Sequence, residues 1–420
     1  METTISKKSY RHFFYFLIGQ EFSLLGSSIV YFVIGWWITV DTNNPIYLSL
    51  SSVLYFLPQI FIAPIAGVLS DRLNRKNIII FVDATQAFVT FGLFLLFSFN
   101  ITNIWIILAV NAIRSTLQAF HVPTFHSIVP SMIPKDRLNR VNGINTLFNS
   151  LIFMVGPILA GFLYEILPIG QIFMIDIITF LAALVPLLFI TIPSVRIAKK
   201  REHKTSFIED FKIGLRTVKA VPGLLSLILL AMSINFIMRP FSDLMPYFIK
   251  NIHNGTAINL AFVTAFMPIA NIIGSIINTI KKNWKHKTFI IMFGTITIFI
   301  GYSFLIFTPS GFFIFLGLGL FIQGMAMNFI LNNYMTLLQS CVPFDKVGRI
   351  VSIDQSLSFI IMPIGSLIGG PLVFLIGITN LYLLCVIIGL AITVLIWIFS
   401  DIYKLDHIGK DDLLTEKILK

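Results

Sequence analysis

Charge is what this sequence has little of. Lys, Arg, Asp and Glu make up 12% of it, about half the share of a soluble globular chain. Cysteine is scarcer still: Cys341 and Cys385 both lie in apolar stretches, which excludes a disulfide framework and a thiolate zinc site. No G-x-x-x-x-G-K-S/T loop is present to cradle nucleotide phosphates, so ATP is not expected as the direct energy source. No serine elbow, metal-ligand cluster or pair of catalytic carboxylates stands outside the apolar runs, and the polar connections are too short for a soluble catalytic domain. An enzyme is therefore not expected, nor a cofactor or metal.

Apolar sequence is what is abundant. Hydrophobic residues make up 56% of the chain and the mean hydropathy is +0.89. Runs long enough to cross a bilayer as helix, roughly 20 residues, recur from residue 13 to residue 400. They read as twelve spans near 13–40, 46–69, 77–99, 103–126, 143–166, 170–192, 223–249, 257–280, 287–307, 311–341, 350–377 and 378–400. The runs are continuously apolar rather than alternating, which excludes a transmembrane barrel; an all-α membrane protein is expected. The run after Arg11 continues past 25 residues without a small-residue cleavage site and reads as a first span, not a signal peptide.

The net charge of +11 would suit nucleic acid, but its distribution points elsewhere. With the N-terminus in the cytoplasm, 27 of the 30 Lys and Arg fall on that side, Lys250 falls on the other, and Arg114 and Arg239 lie within spans. Such asymmetry is an orientation signal that places both termini inside, and it offers contacts to anionic lipid headgroups. Nucleic-acid binding is not expected.

The chain also repeats itself. PKDRLNRVNGINTLFNSLIFMVGPILAG from Pro134 returns 209 residues later as PFDKVGRIVSIDQSLSFIIMPIGSLIGG, matching Pro134 with Pro343, Arg140 with Arg349, Gly156 with Gly365 and Gly161 with Gly370. A repeat of half the chain length implies two equivalent halves with a site between them. The expected domains are an N-terminal six-helix bundle over 1–193, a cytoplasmic linker over 194–222, a C-terminal six-helix bundle over 223–400 and a cytoplasmic tail over 401–420. Phe207, Phe211 and Leu215 give the linker an amphipathic face.

Two stretches carry a family resemblance. GVLSDRLNRK, from Gly67 to Lys76, sets Gly67, Leu69, Asp71, Arg72, Arg75 and Lys76 in a short loop, with Asn74 where a glycine is usual. Gly143, Gly156, Pro157 and Gly161 space small residues and a kink along the fifth span. The first resembles the loop signature of the major facilitator superfamily, and the second its antiporter signature. Gly19-Gln20, Arg114, Phe120-His121-Val122-Pro123, Pro130, Phe173-x-x-Asp176-x-x-Thr179-Phe180 and Gly348-Arg349 further resemble the bacterial macrolide-efflux branch, which includes siderophore exporters.

The resemblance implies twelve transmembrane helices in two pseudo-symmetric bundles, with spans one, four, seven and ten lining a cavity. It implies a proton-coupled antiporter exporting a small molecule by alternating access, in a bacterial plasma membrane and as a monomer. Glu21 is then the proton-coupling carboxylate and Arg114 its partner. Gly67, Asp71, Arg72, Arg75 and Lys76 form a conformational latch to which Asp83 belongs, with Gly67 small enough for close helix contact. Polar residues at helical spacing mark the cavity: Tyr31, Tyr55, Gln59, Gln118, Asn235, Arg239, Asp243, Asn271, Gln323, Asn328 and Asn332. Asp176 and Asp354 read as structural, the latter capping span eleven, and His121 and His126 as packing residues ending span four. A macrolide-like drug is the expected cargo. The alternatives are export of an anionic or zwitterionic metabolite such as a siderophore, which the two intramembrane arginines favour, and a membrane protein that keeps the fold without transporting.

Overall fold

The computed structural model describes residues 7–134, 137–190, 192, 215–281, 284–342 and 344–408. The spans are α1 (Lys7–Thr42), α2 (Pro45–Arg72), α3 (Arg75–Ser98), α4 (Ile104–Met132), α5 (Leu138–Ile166), α6 (Ile169–Phe189), α7 (Leu224–Asp243) with its short continuation α8 (Met245–His253), α9 (Ala257–Ile280), α10 (Lys287–Phe307), α11 (Phe313–Ser340), α12 (Phe344–Ile376) and α13 (Ile378–Phe399). A single helical turn (Ile402–Lys404) and α14 (Leu405–Ile408) follow. No strand occurs among the described residues.

Eleven of these helices are long and apolar enough to cross a membrane. The twelfth span is α4, whose 29 residues include Asn111, Arg114, Gln118, His121 and His126. Three boundaries depart from expectation. α4 runs on to Met132, where the Ser127 and Ser131 hydroxyls bond carbonyls of their own helix, so His121 and His126 lie inside it. α12 starts at Phe344, which puts Asp354 inside the helix rather than at its cap. Span seven breaks at Leu244, because Pro246 has no N–H to continue the ladder.

Asparagines punctuate the turns. Asn44, Asn74 and Asn103 cap α2, α3 and α4, each side chain accepting from the amide two residues on at 2.9–3.0 Å. Asn43, Asn100 and Asn254 take positive φ. Asn74 has φ −71°, so it stands in the loop signature as a cap and not as a left-handed residue. Of the expected surface helix, residues through 214 lie outside the described residues; 215–220 are helical. The tail from 409 is likewise outside them.

The chain divides into two units, Met1–Lys199 with Ile249–Ala265, and Lys200–Phe248 with Phe266–Lys420. In the first, α1 packs on α5 and α6, α3 on α4 and α6, and α2 on α4. In the second, α7 packs on α12 and α13, and α10 on α11 and α13. Helices six spans apart therefore choose equivalent neighbours, as the sequence repeat requires. Phe13, Phe16 and Leu17 of α1 meet Phe125, Ile128 and Met132 of α4 and Ile79 of α3 in one apolar core. In the second unit Phe241 lies between Tyr302 and Tyr382, with ring centroids 3.5 and 4.3 Å away.

Candidate functional site

The intramembrane charges of the first unit gather on the inner faces of α1, α3, α4 and α6. Gly26 lets α1 approach α6 closely: a Cβ there would lie 2.9 Å from Asp176 Cα. Asp176, fully buried, accepts from Arg114 Nη1 at 2.8 Å, from Thr90 Oγ1 at 2.9 Å and from Ser27 Oγ at 3.3 Å. Arg114 also donates to Thr90. The guanidinium and carboxylate thus neutralise each other inside a shell of hydroxyls.

That arrangement corrects the expected Glu21–Arg114 pair. Arg114 has Asp176 as its carboxylate, because α6 delivers Asp176 against α4. Glu21 is 8% exposed, and its Oε2 is buried with no hydrogen-bond partner among the described residues. Asp176 is accordingly the counter-ion of Arg114, and the one available signal was its place in F-x-x-D-x-x-T-F.

Asp83 does not join the loop latch. It is fully buried and accepts from Gln20 Nε2 at 3.0 Å, while His121 Nε2 lies 3.6 Å from its other oxygen and 2.5 Å from Gln20 Oε1. Eight residues into α3, Asp83 has passed the loop and faces α1 and α4. His121, expected as a hydrogen-bonded packing residue, bonds Gln20 and is part of this polar cluster.

The loop residues bind carbonyls. Arg75 donates to Ser70 O at 3.2 Å and Ser127 O at 2.9 Å, joining the end of α2 to α4. Lys76 Nζ donates to Leu188 O and Ile190 O at 3.1 and 2.8 Å, where a cation suits the C-terminal end of α6. Arg72 is exposed; the Asp71 side chain lies outside the described residues. A Cβ at Gly67 would meet nothing within 4 Å among the described residues, so the structure gives that glycine no close helix contact there.

The antiporter-like stretch divides the same way. A Cβ at Gly156 would lie 2.8 Å from Ser28 Cβ of α1, and one at Gly161 would lie 2.8 Å from both Ala257 O and Ala261 Cβ of α9. A Cβ at Gly143 would again meet nothing within 4 Å among the described residues, and Pro157 lies inside α5. At the repeat position in the second unit, a Cβ on Gly365 would lie 2.6 Å from Phe236 O and 3.1 Å from Arg239 Cβ of α7. The repeated glycine therefore seats α5 on α1 and α12 on α7.

The expected cavity residues fall into groups. Tyr31 and Tyr55 have ring centroids 5.3 Å apart; the Gln59 amide bonds Tyr55 O at 3.4 Å. Gln118 accepts from Gln86 at 3.4 Å. In the second unit Asn328 donates to Asn271 O at 3.1 Å and to Ser275 Oγ at 2.9 Å, and accepts from Asn278 at 2.8 Å. Gln323 is 1% exposed with neither side-chain polar atom hydrogen-bonded among the described residues. Asn235 bonds Ala231 O of its own helix, Asn332 is exposed and Asp243 is buried. Asp354 accepts from the Tyr334 hydroxyl, which links α12 to α11.

The chain as a whole is similar to known proteins. Residues 16–362 match the model of the Major Facilitator Superfamily. Macrolide efflux protein A of Streptococcus pyogenes is 28% identical over 396 residues, covering 92% of this chain and 96% of its own length. A multi-drug resistance efflux pump PmrA homolog of Lactococcus lactis is 23% identical and covers 85% of each chain. In fold, the chain is similar to the nucleoside transporter NupG, with a TM-score of 0.75 at 12% identity over 91% of this chain and 98% of that one. With twelve helical spans, a half-chain repeat and a family match running from α1 into α12, the chain belongs to the Major Facilitator Superfamily of membrane transporters.

Proposed function

We propose that this protein is a proton-coupled exporter that moves an amphipathic, macrolide-like molecule out of a bacterial cell by alternating access. The observation that carries the coupling is Glu21, a buried acid whose Oε2 has no hydrogen-bond partner among the described residues. A charge within a span costs about 2.5–3.5 kcal/mol on insertion scales, and a carboxyl that bears this cost without a fixed partner is a functional group by default. Arg114 and Asp176 form the fixed charge pair, so Glu21 is the acid available to exchange a proton as water access alternates. Drug cargo is supported by the likeness to macrolide efflux protein A along most of both chains.

In this reading the protein is a monomer of two six-helix bundles, over 1–193 and 223–400, with both termini cytoplasmic. Substrate enters while Glu21 is deprotonated, and protonation from outside resets the carrier. Loop residues Arg75 and Lys76 hold one conformation through helix-end carbonyls. Export of an anionic or zwitterionic metabolite is the rival reading, with Arg239 of α7 as its candidate contact for a carboxylate.

Cells expressing the protein should accumulate less radiolabelled erythromycin, and a protonophore should abolish the difference. Accumulation that a protonophore leaves unchanged contradicts proton coupling. Arg239→Gln that spares erythromycin efflux while abolishing efflux of a carboxylate-bearing compound would favour the rival.

A further inference from the structure

Asp83 is, with Glu21, a buried acid of the first unit that no lysine or arginine pairs with among the described residues. It is fully buried on α3, and Gln20 of α1 occupies one of its oxygens at 3.0 Å. Its second oxygen has no hydrogen bond and faces His121 Nε2 at 3.6 Å. The Gln20 amide bridges the two groups: its nitrogen donates to Asp83, and its carbonyl accepts from His121 Nε2 at 2.5 Å. With Asp83 ionised this is the orientation that fits, since a carboxylate oxygen cannot donate to the amide carbonyl and the amide nitrogen cannot accept.

Among the described residues no lysine or arginine pairs with Asp83 or stands against His121 unneutralised. From α1 comes Glu21, next to Gln20 in the chain; from α6 comes Asp176, which acts on Asp83 as a like charge. From α4 come His126, near enough to act on His121, and Arg114, whose charge is taken by Asp176. His121 is also the member with surface: its side chain is 16% exposed against 1% for Asp83.

We propose that Gln20, Asp83 and His121 form a second proton-binding site, separate from Glu21. His121 takes a proton from water and Asp83 is the counter-charge of the resulting imidazolium. Because Nε2–H bonds Gln20, the exchanged proton sits on the other ring nitrogen. Uptake changes the net charge of the cluster from −1 to zero, and release returns the proton to water. Gln20 is the positioning residue that holds ring and carboxylate in register. The site extends the proton-coupling reading and is tested apart from it.

Infrared difference spectroscopy across a pH titration of the purified, substrate-free full chain reads it directly. The wild type should show imidazole–imidazolium bands that His121→Gln removes. Asp83→Asn, which keeps an acceptor for Gln20, should move the midpoint of those bands by about 1–3 pH units through loss of the counter-charge. Gln20→Ala should move it as well, giving a second arm should the Asn variant not fold. Glu21→Gln should leave the bands in place, so failure of the Glu21 assignment and failure of this site are separate results. Bands unchanged in His121→Gln, or a midpoint unmoved by both other variants, would overturn the proposal.

Discussion

Arg114 carries a full charge in the middle of an apolar helix, and Asp176 makes that tolerable at a separation of 2.8 Å. Removing one partner of a buried pair leaves the other uncompensated, at a cost of about 3–5 kcal/mol. Arg114→Ala should therefore lower the thermal stability of the purified protein sharply. Arg114→Met with Asp176→Leu should recover most of it, since apolar replacement of both charges avoids the stranded one. The arginine was legible because any charge inside an apolar run stands out, but its partner was not. Helical spacing says which face a residue occupies, not which helix will cover that face, and it was the family resemblance that named Glu21 as the partner. Asp83 repeats the lesson: two turns of helix carried it from the loop signature to Gln20 and His121.

Between helices, single atoms decide the spacing. Gly156 and Gly161 sit where α5 touches α1 and α9, so Gly156→Ala and Gly161→Ala should each cost about 1–3 kcal/mol through overpacking. Gly67→Ala and Gly143→Ala meet nothing among the described residues and, being within helices, should raise stability by about 0.5–1 kcal/mol in the same thermal melts. A small-residue motif promises close approach at every glycine; which ones deliver depends on helix rotation, which spacing alone leaves undetermined. A second contact was outside any motif. Asp406 accepts from the Lys287 and Thr288 amides at 2.9 and 3.3 Å, capping α10 from the far end of the chain. Asp406→Ala should cost about 0.5–2 kcal/mol, the usual range for a lost cap. Most helix boundaries were legible from apolar length, whereas the break at Leu244 was hidden within a continuous apolar run.

For the molecule as a whole, the half-chain repeat was visible as paired residues and returns as paired helix contacts, α1 with α5 and α7 with α12. The charges do not repeat position by position. Glu21, Asp83, Arg114 and Asp176 belong to the first unit, whereas the second has Arg239, Asp243 and Asp354 together with amides at Asn271, Gln323 and Asn328. On this asymmetry we propose a division in which coupling lies mainly in the N-terminal half and substrate selection more in the C-terminal half. Its central claim is that Glu21 carries the coupled proton. In proteoliposomes with an imposed pH gradient, the wild type should move erythromycin against its concentration gradient. Glu21→Gln should still bind and exchange it but show no response to the pH gradient. Full gradient-driven transport by Glu21→Gln would contradict the account.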